Sequence, residues 1–203
     1  MYKGERFNSI SHLTGTVLAV AGTVALVIMA AFHGDPWRIV SVSIYGTTLI
    51  ILYLFSTLYH SIKGVPVLRK LDHIAIYLLI AGSYTPFTLV TLRGPLGWTL
   101  FGSVWGLAVI GIIADLLLKH KRRIIPIIIY LLMGWLVVLA IKPLLRILPL
   151  NGFWWLLAGG ILYTVGVVFY VLDGKLRHSH GIWHLFVLGG SVAQYITILV
   201  YVL

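Results

Sequence analysis

The chain has 203 residues, of which 60% are apolar and 10% charged, and its mean hydropathy is +1.03. Soluble domains carry roughly 25% charged residues, so this composition excludes a water-soluble fold and points to the bilayer. The absence of cysteine excludes disulfides and thiolate metal sites, while the meaning of the +10 net charge depends on where the basic residues fall.

A helix needs about 20 apolar residues to cross the hydrocarbon, and the first such run is Leu13–Phe32. Lys3, Arg6 and Ala19-Val20-Ala21 give it the outline of a secretory leader. The run outlasts a leader's apolar core, however, and reads as a retained span. Ahead of it Glu5, Asn8 and His12 stand at i, i+3 and i+7. They share a face if the helix starts early, capping a site or orienting its ligands.

The second run, Trp37–Tyr59, leads to Ser56-Thr-Leu-Tyr-His60, with Ser56 one turn before His60. The third, Leu71–Leu92, opens on Leu71-Asp72-His73 and contains Pro86, which should kink it and free a carbonyl. On an ideal helix His73 points about 100° away from Asp72, which suits packing. Leu96–Leu118 holds Gly102-x-x-x-Gly106, a spacing that lets helix backbones pack closely. Ile124–Ile141 and Gly152–Leu172 are the fifth and sixth runs. The seventh, Trp183–Leu203, holds Gly189-Gly190-Ser191 and follows His178-Ser-His-Gly-Ile-Trp-His184. Pro36, Pro66, Pro95, Pro143 and Pro149 fall in or beside short connections, as helix punctuation does. The expected architecture is an all-α integral membrane protein, one domain over residues 1–203, with seven transmembrane helices.

The basic residues sort by side. Lys3, Arg6, Lys63, Arg69, Lys70, Lys119, Lys121, Arg122, Arg123, Lys175 and Arg177 lie on one face; Arg38, Arg93, Lys142 and Arg146 lie on the other. The positive-inside rule then puts the N-terminus in the cytoplasm and the C-terminus outside. Charge distributed by topology argues against nucleic acid as a partner and for membrane lipids. Lys119 to Arg123 is explained by topology before any headgroup binding. Oligomeric state has no signature here.

With that orientation the second span ends inside at His60, the third starts inside at Asp72, and the seventh starts inside at His180 and His184. Three segments remote in sequence thus bring these residues to one depth. His180 and His184 at i, i+4 share a helix face, and three imidazoles plus a water make a common catalytic zinc site. Asp72 would accept a proton from that water, and Ser56 would hydrogen-bond a ligand or the water. His178 substitutes for His180 if the last helix begins late. His33 and His120 suit the interface, and Asp115 and Asp173 suit pairing with nearby Lys or Arg.

Ser56-x-x-x-His60, Leu71-Asp72-His73, His180-x-x-x-His184 and Glu5-x-x-Asn8-x-x-x-His12 together resemble the motifs of the hemolysin III proteins, bacterial relatives of the adiponectin and progestin receptors. The likeness also covers residues 75–87 and 181–191. It implies a seven-helix bundle of the bacterial inner membrane with zinc on His60, His180 and His184, and Asp72 and Ser56 as the catalytic pair. Relatives with ceramide-hydrolysing activity imply a zinc-dependent lipid amide or ester hydrolase acting in membrane-lipid homeostasis. Two other expectations are a non-enzymatic lipid sensor with structural zinc and a pore-forming cytolysin, the activity behind the family's name. The mid-membrane residues are mostly Leu, Ile, Val and Gly, which disfavours a pore.

Overall fold

A computed structural model of the protein describes residues 4–117 and 124–203. Lys3, Leu118 and the Lys119–Arg123 cluster with His120 lie outside them. The described chain forms seven long apolar helices: Arg6–Phe32, Pro36–Ser61, Pro66–Thr91, Pro95–Leu117, Ile124–Ile147, Leu150–Val171 and Ser179–Tyr201. At 1.5 Å per residue each measures roughly 33–40 Å, enough to cross a bilayer.

Short connections make successive helices antiparallel. The first packs along the second, the second along the third, the sixth along the seventh, and the first also meets the seventh. The starts of the first, third and seventh helices and the end of the second therefore share one end of the bundle. Proline opens three of the helices at Pro36, Pro66 and Pro95, where a missing N–H costs nothing. At the opposite end Asp35 accepts a hydrogen bond from the Trp37 N–H at 3.0 Å and caps the second helix.

The first helix begins at Arg6, well before the apolar run. This early start puts Asn8, His12, Gly15 and Ala19 on one buried stripe. The third helix widens after Pro86 into π geometry over Phe87–Thr91, closed by Leu92 N–H to the Phe87 carbonyl at 2.7 Å. That widening is the local response to the proline.

Two expectations are corrected. The fifth helix runs to Ile147 rather than Ile141, and it narrows to 3₁₀ geometry over Leu136–Ala140. Pro143 lies inside it: without an N–H it cannot bond the Leu139 carbonyl, so the ladder loosens just before it. The Tyr84 hydroxyl bridges the break, donating to the Gly134 carbonyl at 2.7 Å and accepting from Val137 N–H at 2.8 Å. The second correction concerns Gly102-x-x-x-Gly106, whose glycines face open space rather than a neighbouring helix.

Gly97 is different. A Cβ there would meet the Thr88 and Leu92 carbonyl oxygens at 2.2 and 2.5 Å, and backbone cannot step aside as a side chain can. Gly97→Ala should lower stability by about 2–3 kcal/mol, while Gly102→Ala stays within about 0.5 kcal/mol. Thermal unfolding in detergent separates the two.

Candidate metal centre

His60, His180 and His184 come together at the end of the bundle where the second helix finishes and the seventh begins. Each offers one ring nitrogen to a common point, and these atoms lie within 4.8 Å of one another. His60 and His184 are buried and His180 is half-buried. The Nε2 atoms of His60 and His180 are 3.2 Å apart, close to the ~3.3 Å edge of a tetrahedron around zinc with bonds of about 2.0–2.1 Å.

The outer side of each ring is held. His60 Nδ1 lies 2.8 Å from Glu5 Oε2, and the Asn8 amide donates to the same oxygen at 2.6 Å. His180 Nδ1 lies 3.0 Å from Asp173 Oδ2. His184 Nδ1 lies 3.4 Å from Ser11 Oγ, whose own hydroxyl donates to the Asn8 carbonyl at 3.0 Å. A carboxylate only accepts, so the first two contacts place the proton on Nδ1 and leave Nε2 with its lone pair. At 3.2 Å the two Nε2 atoms are spaced for an N–H···N hydrogen bond if one ring is doubly protonated, or for a shared cation if both are neutral. The buried His184 Nε2, moreover, has no hydrogen-bond partner in the protein. This donor set fits a borderline metal ion, with carboxylates behind the ligands in the arrangement that fixes imidazole tautomers.

The early start of the first helix supplies Glu5, Asn8, Ser11 and His12. His12 is fully buried and stacks on His184 with ring centroids 3.6 Å apart, while the Tyr53 ring meets it edge-on at 5.1 Å. Neither of its ring nitrogens has a protein partner. Ser56 is buried one turn from His60, and its hydroxyl too is without a protein partner. Asp72 is buried at the start of the third helix, outside the three-imidazole group. With His12 it lines one end of a cavity of about 140 Å³ that runs inward between the third, fifth, sixth and seventh helices.

Asp173 corrects an expectation: its carboxylate pairs with His180 rather than with a nearby Lys or Arg. Left-handed backbone at Gly174 (φ 80°) and His178 (φ 63°) folds the connection back so that it reaches. His178 is exposed just ahead of the last helix, which begins at Ser179, and the three-imidazole group contains His180 instead. Ser11 went unnoticed in the sequence, although it follows Glu5 and Asn8 at the same three-residue step.

Comparison with known proteins places the chain among relatives. The profile of a family described as Haemolysin-III related matches residues 1–195. The chain is 49% identical to Hemolysin-3 of Bacillus cereus, over 99% of its own length and 93% of the relative's. It is 46% identical to the Hemolysin-3 homolog of Bacillus subtilis (strain 168), over 98% and 94%. It is also 31% identical to the human monocyte to macrophage differentiation factor, over 91% and 80%.

Proposed function

The chain belongs to the Haemolysin-III related family, and on that premise we propose that this multi-pass membrane protein is a zinc-dependent hydrolase of a membrane-lipid amide or ester. It would serve lipid homeostasis in a bacterial inner membrane. The observation that carries the metal reading is the pair of Nε2 atoms facing each other at 3.2 Å with their outer nitrogens on carboxylates. The excess of Lys and Arg on the site's side of the bundle supports a cytoplasmic site and a cytoplasmic N-terminus.

His60, His180 and His184 would hold the zinc, which when bound polarises a carbonyl and acidifies water. Asp72 accepts a proton from the attacking water and returns it to the departing nitrogen or oxygen as the carbonyl-to-heteroatom bond breaks. The Ser56 hydroxyl offers a hydrogen bond to the reacting polar group. The mainly apolar cavity that starts at His12 and Asp72 takes a lipid chain and excludes water. That lining suits a chain better than hydrated ions, which ranks the pore reading lower.

One observation favours a second reading. The imidazoles and their partners come from the first, second and seventh helices and the last connection, so a metal would tie that end of the bundle together. Its binding would then contribute folding energy directly, and the protein would sense lipids rather than cleave them.

Incubating metal-loaded protein with lipid extract from its host tests the hydrolase. Release of fatty acid that stops on chelation is expected; no release at full zinc occupancy overturns it. The carboxylate behind His60 gives a further check. Glu5→Gln should weaken zinc binding by about 10–100-fold, read by competition with a zinc-chelating dye.

A further inference from the structure

The cavity that begins at His12 and Asp72 does not end at mid-membrane. A second lobe of about 90 Å³ continues it toward the opposite end of the bundle, reaching Phe87, Leu144 and Phe153. Six residues line both lobes and so form the waist: Ser83, Tyr84, Gly134, Trp135, Gly160 and Gln194.

Most polar groups at this waist are satisfied by the protein. The Ser83 hydroxyl donates to the Ile80 carbonyl at 2.8 Å, Tyr84 bridges the fifth helix, and the Trp135 indole donates to Thr164 Oγ1 at 3.1 Å. Gln194 is the exception. It is 8% exposed, and its Oε1 has no hydrogen-bond partner. A buried amide oxygen left unpaired costs about 1–3 kcal/mol, and Leu or Met would fill the space without that cost.

The surrounding residues make room for something at this point. The Gln194 side chain crosses to the sixth helix over Gly159, where a Cβ would stand 3.0 Å from its amide nitrogen. At Gly134 and Gly160 a Cβ would meet no side chain or neighbouring helix within 4 Å, so two of the residues lining the waist leave space unfilled.

We propose that Gln194 is a hydrogen-bonding station within the cavity, which selects lipid chains carrying a hydroxyl part-way along their length. Gln194 lies ten residues beyond His184 on the same helix, a rise of roughly 15 Å. A chain whose head rests at the imidazole end therefore passes Gln194 with its middle segment, and a hydroxyl there donates to Oε1 once the amide turns that closed-off atom toward the lobe. A plain hydrocarbon chain passes the same place leaving that oxygen unpaired. Selection then follows the rule that a site built to hydrogen-bond a group discriminates against analogues lacking it.

The inference rests on reading the cavity as the site of a lipid chain, and the test separates the two. Purified full-length protein in detergent is loaded with radiolabelled stearate. The label is displaced by unlabelled stearate and by stearates carrying one hydroxyl at successive positions. One or two adjacent mid-chain positions should compete about fivefold better than stearate, the effect of one neutral hydrogen bond of about 1 kcal/mol. Gln194→Met should abolish that preference while binding stearate as before. Gly160→Val, which narrows the waist without touching the amide, should weaken every chain alike. If stearate binds but hydroxylation has no effect, or acts equally at all positions, Gln194 is not a selective station and the chain site stands. If no chain binds, the reading of the cavity itself falls. Should Gln194→Met fail to fold, the position series on unaltered protein still decides.

Discussion

Protein carrying both His180→Ala and His184→Ala should be purified with zinc at background, where the unaltered chain carries about one ion. The geometry makes this the largest effect available on the metal. With those rings gone His60 is the one imidazole left of the three, and a single neutral nitrogen held by Glu5 cannot retain a divalent ion against a chelator. Structural zinc in zinc-finger peptides binds with about 10–16 kcal/mol, and losing two of three protein ligands here should remove most of whatever this site supplies. Thermal stability should fall as well, since metal on the folded state alone stabilises it by mass action.

His184 is fully buried beneath His12, and truncating it also leaves a void that costs stability without any metal. His180→Gln separates the two effects. The half-buried ring at position 180 can be replaced with little loss of packing, yet zinc should still fall by at least tenfold. His178→Ala, two residues away and exposed, should leave the metal in place. Elemental analysis of the three variants decides the matter, and zinc at the unaltered level in the double variant would remove the metal centre from consideration.

The seven helices were legible because the bilayer imposes a length, and seven stretches of this chain meet it. The ends were less so. Arg6 to His12 is too polar to count as membrane, and only the i, i+3, i+7 spacing of Glu5, Asn8 and His12 hinted that the helix starts there. The break in the fifth helix was hidden because Pro143 reads equally as an end or an interruption of a run. Which face of the fourth helix is buried was also invisible. A helix apolar all round gives no stripe to read when lipid and protein interior are equally greasy, so Gly102 and Gly106 looked like a contact. The imidazole cluster was legible in part, since i, i+4 spacing is local and topology supplies a common depth. Asp173 was not, because its reach to His180 depends on left-handed backbone at Gly174 and at His178, the latter a conformation that few non-glycine residues adopt.

Asp72→Asn carries the second large effect. The substitution keeps the shape and removes the ability to accept a proton, and Asp72 lies outside the imidazole group, so zinc content should match the unaltered protein. Turnover of lipid should drop by about 10²–10⁴-fold, the span that a positioned proton acceptor contributes. Ser56→Ala, which deletes a hydroxyl with no protein partner, should cost less, since it removes a hydrogen bond rather than the proton acceptor. The same variant divides the two readings of the metal. If zinc organises the bundle for lipid sensing, Asp72→Asn should restore membrane fluidity in a deletion strain as well as the unaltered gene does, and chelation should lower melting temperature without changing any lipid. A variant that keeps its zinc and its fold yet fails both to release fatty acid and to complement the strain would tie function to proton transfer at Asp72. Full complementation by that variant would assign the metal to structure and end the hydrolase proposal.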